Sequence, residues 1–168
     1  MKLYLRSILV LPILLVPKLA HATDESVFVS CELDNGAQME VFIRHGSFSG
    51  EGGFSYAYRP ETGPELNLSA SMAEGPVTPW AGVGRAIWSS VSFADNGQIY
   101  EVWNSFDRLE PSTGLQAGLN ISGNGEYLDD FSCVSGDIAP VFTLEDEMMA
   151  AGYCWDRNDF AWSRTDCG

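Results

Sequence analysis

The sequence predicts an all-β protein: a small antiparallel barrel or two-sheet sandwich of eight strands, followed by a short C-terminal helix and a disulfide-closed tail. Three observations carry this reading. Short runs alternate apolar and polar residues, which is the period of a half-buried strand. Asn-Gly pairs and Gly/Pro clusters interrupt those runs at intervals that suit hairpins rather than crossover helices. Four cysteines, Cys31, Cys133, Cys154 and Cys167, lie within or after the alternating region.

Residues 1–22 differ from everything after them. Lys2 and Arg6 precede an apolar run over 8–16, and Ala20-His21-Ala22 supplies the small-x-small pattern of a signal-peptidase site. The run is too short for a spanning helix, which needs about 20 apolar residues. No cysteine stands at the cleavage point to carry a lipid anchor. The expectation is a soluble exported chain, periplasmic or secreted, with no membrane attachment once the leader is removed.

Residues 23–137 read as the β domain. Val27, Val29, Cys31 and Leu33 alternate with more polar neighbours, Asp34-Asn35-Gly36 intervenes, and Met39, Val41 and Ile43 alternate again. This is a hairpin whose turn residues suit a type I′ loop. The pattern recurs as a strand over 85–94, then Asp95-Asn96-Gly97, then a strand over 98–106. Glu40-Val41-Phe42 and Glu101-Val102-Trp103 follow the two turns at the same spacing. Either an internal duplication or two hairpins with similar turn chemistry would produce this. Further strands fit 54–58, 66–70, 115–121 and 126–133.

Residues 138–168 change pattern. Thr143 can cap a helix, Glu145, Asp146 and Glu147 load its first turn with negative charge, Leu144, Met148 and Ala151 share a face, and Gly152 can stop it. The tail then encloses Trp155, Arg157, Phe160, Trp162 and Arg164 between Cys154 and Cys167. An even cysteine count in an exported chain argues for two disulfides. The spacings lack the C-x2-4-C pair of a zinc site. Three pairings are possible. Cys31–Cys133 with Cys154–Cys167 is favoured, because it ties the first strand to the last and closes the tail.

The 168 residues carry 23 Asp and Glu against 9 Lys and Arg, a formal charge of -14. Beyond the leader there are six Arg and no Lys, so the charge becomes -17. Such a surface speaks against nucleic acid as a partner and for a basic one. Acidity that merely keeps an exported protein soluble is an equal explanation.

Catalytic chemistry finds little support, and the expectation is a protein that is not an enzyme, with no cofactor and no metal. His45, beside Arg44 and before a Gly-rich stretch, is the one histidine beyond the leader. No G-x-S-x-G elbow accompanies it. Asp129 and Asp130 read as a solvated acidic turn rather than a calcium loop. Gly82-Val83-Gly84-Arg85 follows no predicted strand and opens no helix, so it lacks the context of a dinucleotide loop. The sequons at Asn67 and Asn120 matter only in a eukaryotic secretory pathway.

Aromatic and arginine content outside the alternating core points instead to binding. Trp80, Gly82, Gly84, Arg85 and Trp88 lie in one stiff Pro- and Gly-containing segment, a composition found at contact surfaces. A tryptophan plug closing the end of a barrel is the structural alternative. Trp155, Arg157 and Trp162 of the tail are the second group of partner-binding candidates, with covering a sheet edge as the alternative there.

Cys31-Glu32-Leu33-Asp34-Asn35-Gly36, followed by Val41, an aromatic strand, the segment 66–71, a Trp-rich middle strand and a last strand ending in Cys133, resembles the periplasmic and membrane-bound inhibitors of c-type lysozyme. The likeness covers residues 27–133 in order and approximate spacing. It implies a small eight-stranded barrel with a terminal disulfide, and inhibition of a cationic cell-wall hydrolase. Residues 82–87 stand roughly where that family has a Ser-Gly-x-x-Tyr type loop, but the motif itself is missing. The family's later Lys-Gly motif has no equivalent, since no Lys follows the leader. The tail from Asp137 has no counterpart.

The function expected is therefore binding. Its most concrete form is inhibition of a basic, lysozyme-like hydrolase, with the loop at Trp80 to Arg85 filling the enzyme's cleft and Arg85 meeting a catalytic carboxylate. The alternatives are a carbohydrate or peptidoglycan binder that stacks sugars on Trp80, Trp88, Trp155 or Trp162, and an accessory envelope protein with a fixed partner.

Overall fold

The structure, a computed structural model, describes residues 24–46 and 51–165. The expected leader and Cys167 lie outside the described residues. Nine strands form one antiparallel sheet: β1 (Glu25–Leu33), β2 (Gln38–Arg44), β3 (Gly53–Arg59), β4 (Leu66–Ser71), β5 (Val77–Thr78), β6 (Ala86–Asp95), β7 (Gln98–Asp107), β8 (Leu115–Gly123) and β9 (Glu126–Ile138). Their order is β4-β3-β2-β1-β9-β8-β7-β6-β5. The helix α1 (Thr143–Ala150) and a small hairpin of β10 (Cys154–Asp156) and β11 (Ala161–Ser163) follow.

All eight expected strands are present, but the sheet has nine and is a curled half-barrel rather than a closed barrel. β4 pairs only with β3, and β5 only with β6, so the two edges share no ladder. The reason is local: β5 is two residues long and stands between Pro76 and Pro79. Proline has no N–H for a ladder, which stops an edge strand from extending. The short connection from β4 to β5 turns through Met72–Glu74, where Ser71 and Glu74 form a capping box and Gly75 adopts φ +63°.

The turns explain the registers. The β6–β7 and β8–β9 hairpins have two-residue loops, Asn96-Gly97 and Asn124-Gly125, with all four residues at positive φ. These are the type I′ turns that Asn-Gly favours. The first Asp-Asn-Gly differs from that expectation. Of its residues only Gly36 has positive φ, Leu33 N–H donates to Ala37 O and Gly36 N–H to Leu33 O. This is a three-residue loop with a left-handed glycine closing it. Asn35 Oδ1 accepts from Ala37 N–H, an Asx turn that holds Asn35 out of the left-handed region. The two Asp-Asn-Gly segments thus share residues but not conformation.

Val29, Met39, Val41, Ile43 and Phe54 from one half of the sheet meet Val91, Phe93, Val102 and Leu119 from the other in one buried cluster on the concave face. Tyr56 stacks on Phe93 with ring centroids 5.2 Å apart, across the curl. Asn104 is buried among them, and it is satisfied: its Oδ1 accepts from Ser89 Oγ at 2.8 Å and its Nδ2 donates to Ala139 O at 2.8 Å. β9, thirteen residues long, joins the two halves by pairing with β8 along its first part and β1 along its last.

The helix closes one end of this concave face with Leu144 and Met148, both fully buried. His45 Nδ1, just beyond β2, lies 2.9 Å from Glu147 Oε2 of α1, and its Nε2 lies 3.2 Å from Ser26 Oγ. The one histidine considered for catalysis therefore fastens the helix to the sheet. Thr143 is not the cap; Phe142 occupies that position and makes no side-chain cap bond. At the other end Gly152, at φ +87°, donates to Met149 O, and Tyr153 N–H to Met148 O, the paired bonds of a Schellman stop.

Cys31 and Cys133 are bonded, with Cα atoms 5.7 Å apart on adjacent strands β1 and β9. Cys154 is disulfide-bonded as well. Its expected partner, Cys167, falls outside the described residues. No described helix is long and apolar enough to cross a membrane.

Candidate functional site

The two groups of binding candidates lie next to each other. A Cβ on Gly82 would stand 3.4 Å from Arg157 Nη1, and one on Gly75 would stand 3.7 Å from the Trp162 ring. The tail hairpin therefore packs along the segment that leads into and out of β5. Trp162 donates its indole N–H to Val77 O at 2.7 Å. It takes up a carbonyl of the edge strand, the covering role that protects an open edge. Trp155 faces Trp162 in register, with ring centroids 5.3 Å apart.

Trp80 is also engaged internally. Its Nε1 donates to Val83 O at 2.8 Å, and the Arg108 guanidinium sits 5.1 Å above its ring centroid. Arg108 further donates to the carbonyls of Gly84 and Arg85. Gly82 and Gly84 adopt φ +87° and +101°, which only glycine does at little cost. The result is a pinned loop.

Arg85 does not stand free at its tip. Its Nε bonds Asp107 Oδ2 at 2.6 Å and its Nη2 bonds Glu110 Oε2 at 3.1 Å. The hydrogen bond from Arg85 holds the Asp107 carboxyl below the ordinary carboxylate range, aided by the N–H groups of Leu109 and Glu110. Its share of stability is therefore present above the unfolded-state value and lost as pH falls through the folded one. Arg85→Ala is expected to move the Asp107 midpoint up toward about 3.9 in a carboxyl-detected NMR titration. An unchanged midpoint would show that the pairing does not form in solution.

Trp88 is placed differently. Val91, Val102 and Leu119 point into the core, so strand alternation puts Trp88 of β6, Glu101 and Trp103 of β7, and Gly118 and Asn120 of β8 on the convex face. Register brings them together: Ser90 pairs with Trp103, Glu101 with Asn120, and Trp103 with Gly118. An open groove of about 410 Å³ runs between Trp88 and Trp103, floored by Ala86, Glu101, Ser105 and Asn120.

The chemistry of this groove is organised. A Cβ on Gly118 would come within 2.6 Å of Trp103 Cζ2, so the indole lies down on the strand where only glycine leaves room. Trp103 Nε1 donates to Asn120 Oδ1 at 3.3 Å, and Asn120 Nδ2 donates to Glu101 Oε2 at 3.1 Å. Ser90 Oγ donates to Glu101 Oε1 at 2.8 Å. The carboxylate and the indole of β7 are thus oriented by partners on the two flanking strands, β6 and β8. A carboxylate has about four lone-pair sites, so Glu101 keeps acceptor capacity toward the groove.

Among the described residues no cluster of three or more His, Cys, Asp or Glu is arranged to hold a metal ion. Of the groove residues, only Trp88 stood among the candidates read from the sequence. Trp103, Glu101 and Asn120 were missed, although the period-2 spacing of Glu101, Trp103 and Ser105 marks one face of one strand. The cross-strand partners needed the register. Compared with protein-family models, curated proteins and solved structures, the chain matches none.

Proposed function

We propose that this is an exported, non-catalytic binding protein that holds a cell-wall saccharide on the convex face of β6, β7 and β8. The observation that supports this reading is the groove between Trp88 and Trp103 with the Glu101–Asn120 pair at its floor. A sugar ring offers an apolar C–H face and equatorial polar groups. Two partly buried indoles on the groove lining suit the first, and an oriented acceptor and amide suit the second. The -14 charge of the chain disfavours acidic polysaccharides, so the ligand is a neutral or N-acetylated saccharide. Titration with a soluble, uncharged chitooligosaccharide, followed by tryptophan fluorescence with no other protein present, tests this, and anionic muropeptides are expected to bind more weakly. A saturable change supports it, and none at millimolar sugar overturns it.

A second reading, inhibition of a basic lysozyme-like hydrolase, is favoured by a separate observation. Val83 and Leu109 are 74% and 76% exposed on two loops that Arg85 and Arg108 tie together. A pinned apolar tip on an acidic protein suits insertion into a cationic partner. Here Val83 and Leu109 make the contact, while Arg85 serves to hold the loop. The expected result is salt-sensitive inhibition of lysozyme-driven wall lysis, reduced at least tenfold by Val83→Asp. Undiminished lysis at a large molar excess would remove this reading and leave the saccharide groove untouched.

A further inference from the structure

A second cavity of about 410 Å³ opens on the concave side, at the end of the half-barrel opposite α1. Tyr56, Tyr58, Tyr100 and Phe131 supply its aromatic wall, and Glu65 and Asp129 are the charged residues on its lining. It is separate from the convex groove, since Trp88 and Trp103 point to the other face of the sheet.

Three features specify what would fit. The lining carries two carboxylates and no basic side chain. Arg59, outside the lining, is bonded to Glu40 at 2.5 Å and lies 3.6 Å from Glu65. Among the described residues no ion pair engages Asp129. Aromatic faces attract a cation through the ring quadrupole, and a carboxylate adds to that attraction.

The third feature is the Tyr56 hydroxyl. Tyr58 accepts a hydrogen bond from Asn35 and Tyr100 donates one to Gln98. Tyr56 is 2% exposed, and its hydroxyl is buried with no hydrogen-bond partner. A buried hydroxyl without an acceptor is costly, and native structures seldom leave one so. Burial pushes its pKa far up, so the group remains a proton donor at any physiological pH.

We propose that this concave pocket binds a small organic cation whose apolar body carries one oxygen acceptor. The ammonium lies toward Asp129 and Glu65, the body packs on the rings of Tyr56, Tyr58, Tyr100 and Phe131, and the oxygen accepts from the Tyr56 hydroxyl. This site does not depend on the saccharide reading.

Isothermal titration of the oxidised protein with three probes tests it: 4-methoxybenzylamine, 4-ethylbenzylamine and 4-methoxybenzoate. The methoxy amine is expected to bind at least tenfold more tightly than the benzoate, and at least threefold more tightly than the ethyl amine. Tyr56→Phe should abolish the methoxy-over-ethyl preference while leaving the ethyl amine's affinity unchanged. Asp129→Asn, on an exposed part of β9, should weaken both amines at least fivefold. Benzoate binding as tightly as the amine, a methoxy preference that survives Tyr56→Phe, or no heat from millimolar amine would each overturn the proposal. A cooperative thermal unfolding transition in each variant reports that it is folded, and the chitooligosaccharide titration of the unaltered protein, read separately, distinguishes failure here from failure of the convex groove.

Discussion

Trp103→Ala is expected to weaken chitooligosaccharide binding at least tenfold, equivalent to about 1.4 kcal/mol, and to leave the thermal unfolding midpoint nearly unchanged. The indole lies on the convex face against Gly118, outside the buried cluster that holds the two halves of the sheet together. Its removal deletes one wall of the groove and releases Asn120 Oδ1 from its hydrogen bond. The large effect on binding and the small effect on folding follow from the same placement. Trp103→Phe should recover part of the affinity, because a ring remains to stack but no N–H remains to orient Asn120. Trp155→Ala is the control. Trp155 faces Trp162 on the tail hairpin, so its loss should leave the titration unchanged. Loss in Trp155→Ala with none in Trp103→Ala would move the sugar site to the tail.

The largest expected effect on stability belongs to the Cys31–Cys133 bridge. Cys31→Ala with Cys133→Ala should lower the free energy of unfolding by about 4.7 kcal/mol, the chain-entropy value for a closed loop of about 100 residues. The two cysteines are 102 residues apart in sequence and lie on neighbouring strands. The bridge therefore acts where the unfolded chain has most to gain from its absence. Alanine is the better replacement, because Cys31 is 3% exposed and a serine hydroxyl there would be buried. Ordinary domains are stable by only about 5–15 kcal/mol, so the double variant should unfold at far lower urea. A loss below about 1 kcal/mol would mean that the reduced, unfolded chain retains enough structure to keep its two ends close without the bridge.

Several features of the molecule are local and therefore visible in the linear chain. Alternation along 27–33, 39–43 and the later runs shows which residues of one strand share a face, since side chains on a strand repeat every second residue. Asn96-Gly97 demands a tight hairpin because both positions need positive φ. The acidic first turn and Gly152 bound α1 for similarly local reasons. The pairing of Cys31 with Cys133 follows once they are read as belonging to the first and last strands.

What tertiary structure decided is everything that depends on which strand stands beside which. Asn35 of the first Asp-Asn-Gly turn adds to its local bond with Ala37 N–H a donation from Nδ2 to the Tyr58 hydroxyl of β3, 23 residues away. The prolines that bound β5 are local, but its place at an open edge of the half-barrel, capped by Trp162 of the tail hairpin 85 residues on, was decided by the fold. Arg85 reads in sequence as a free cation in a glycine loop. In the fold it is held by Asp107 and Glu110, which lie 22 and 25 residues away. Trp88, Trp103 and Asn120 form a groove only because three strands align them on one face. Tyr56, Tyr100 and Phe131 surround a pocket only because the sheet curls. Single-strand patterning specifies in or out for each residue, whereas a site needs neighbours, and neighbours in a sheet are set by cross-strand register and curvature.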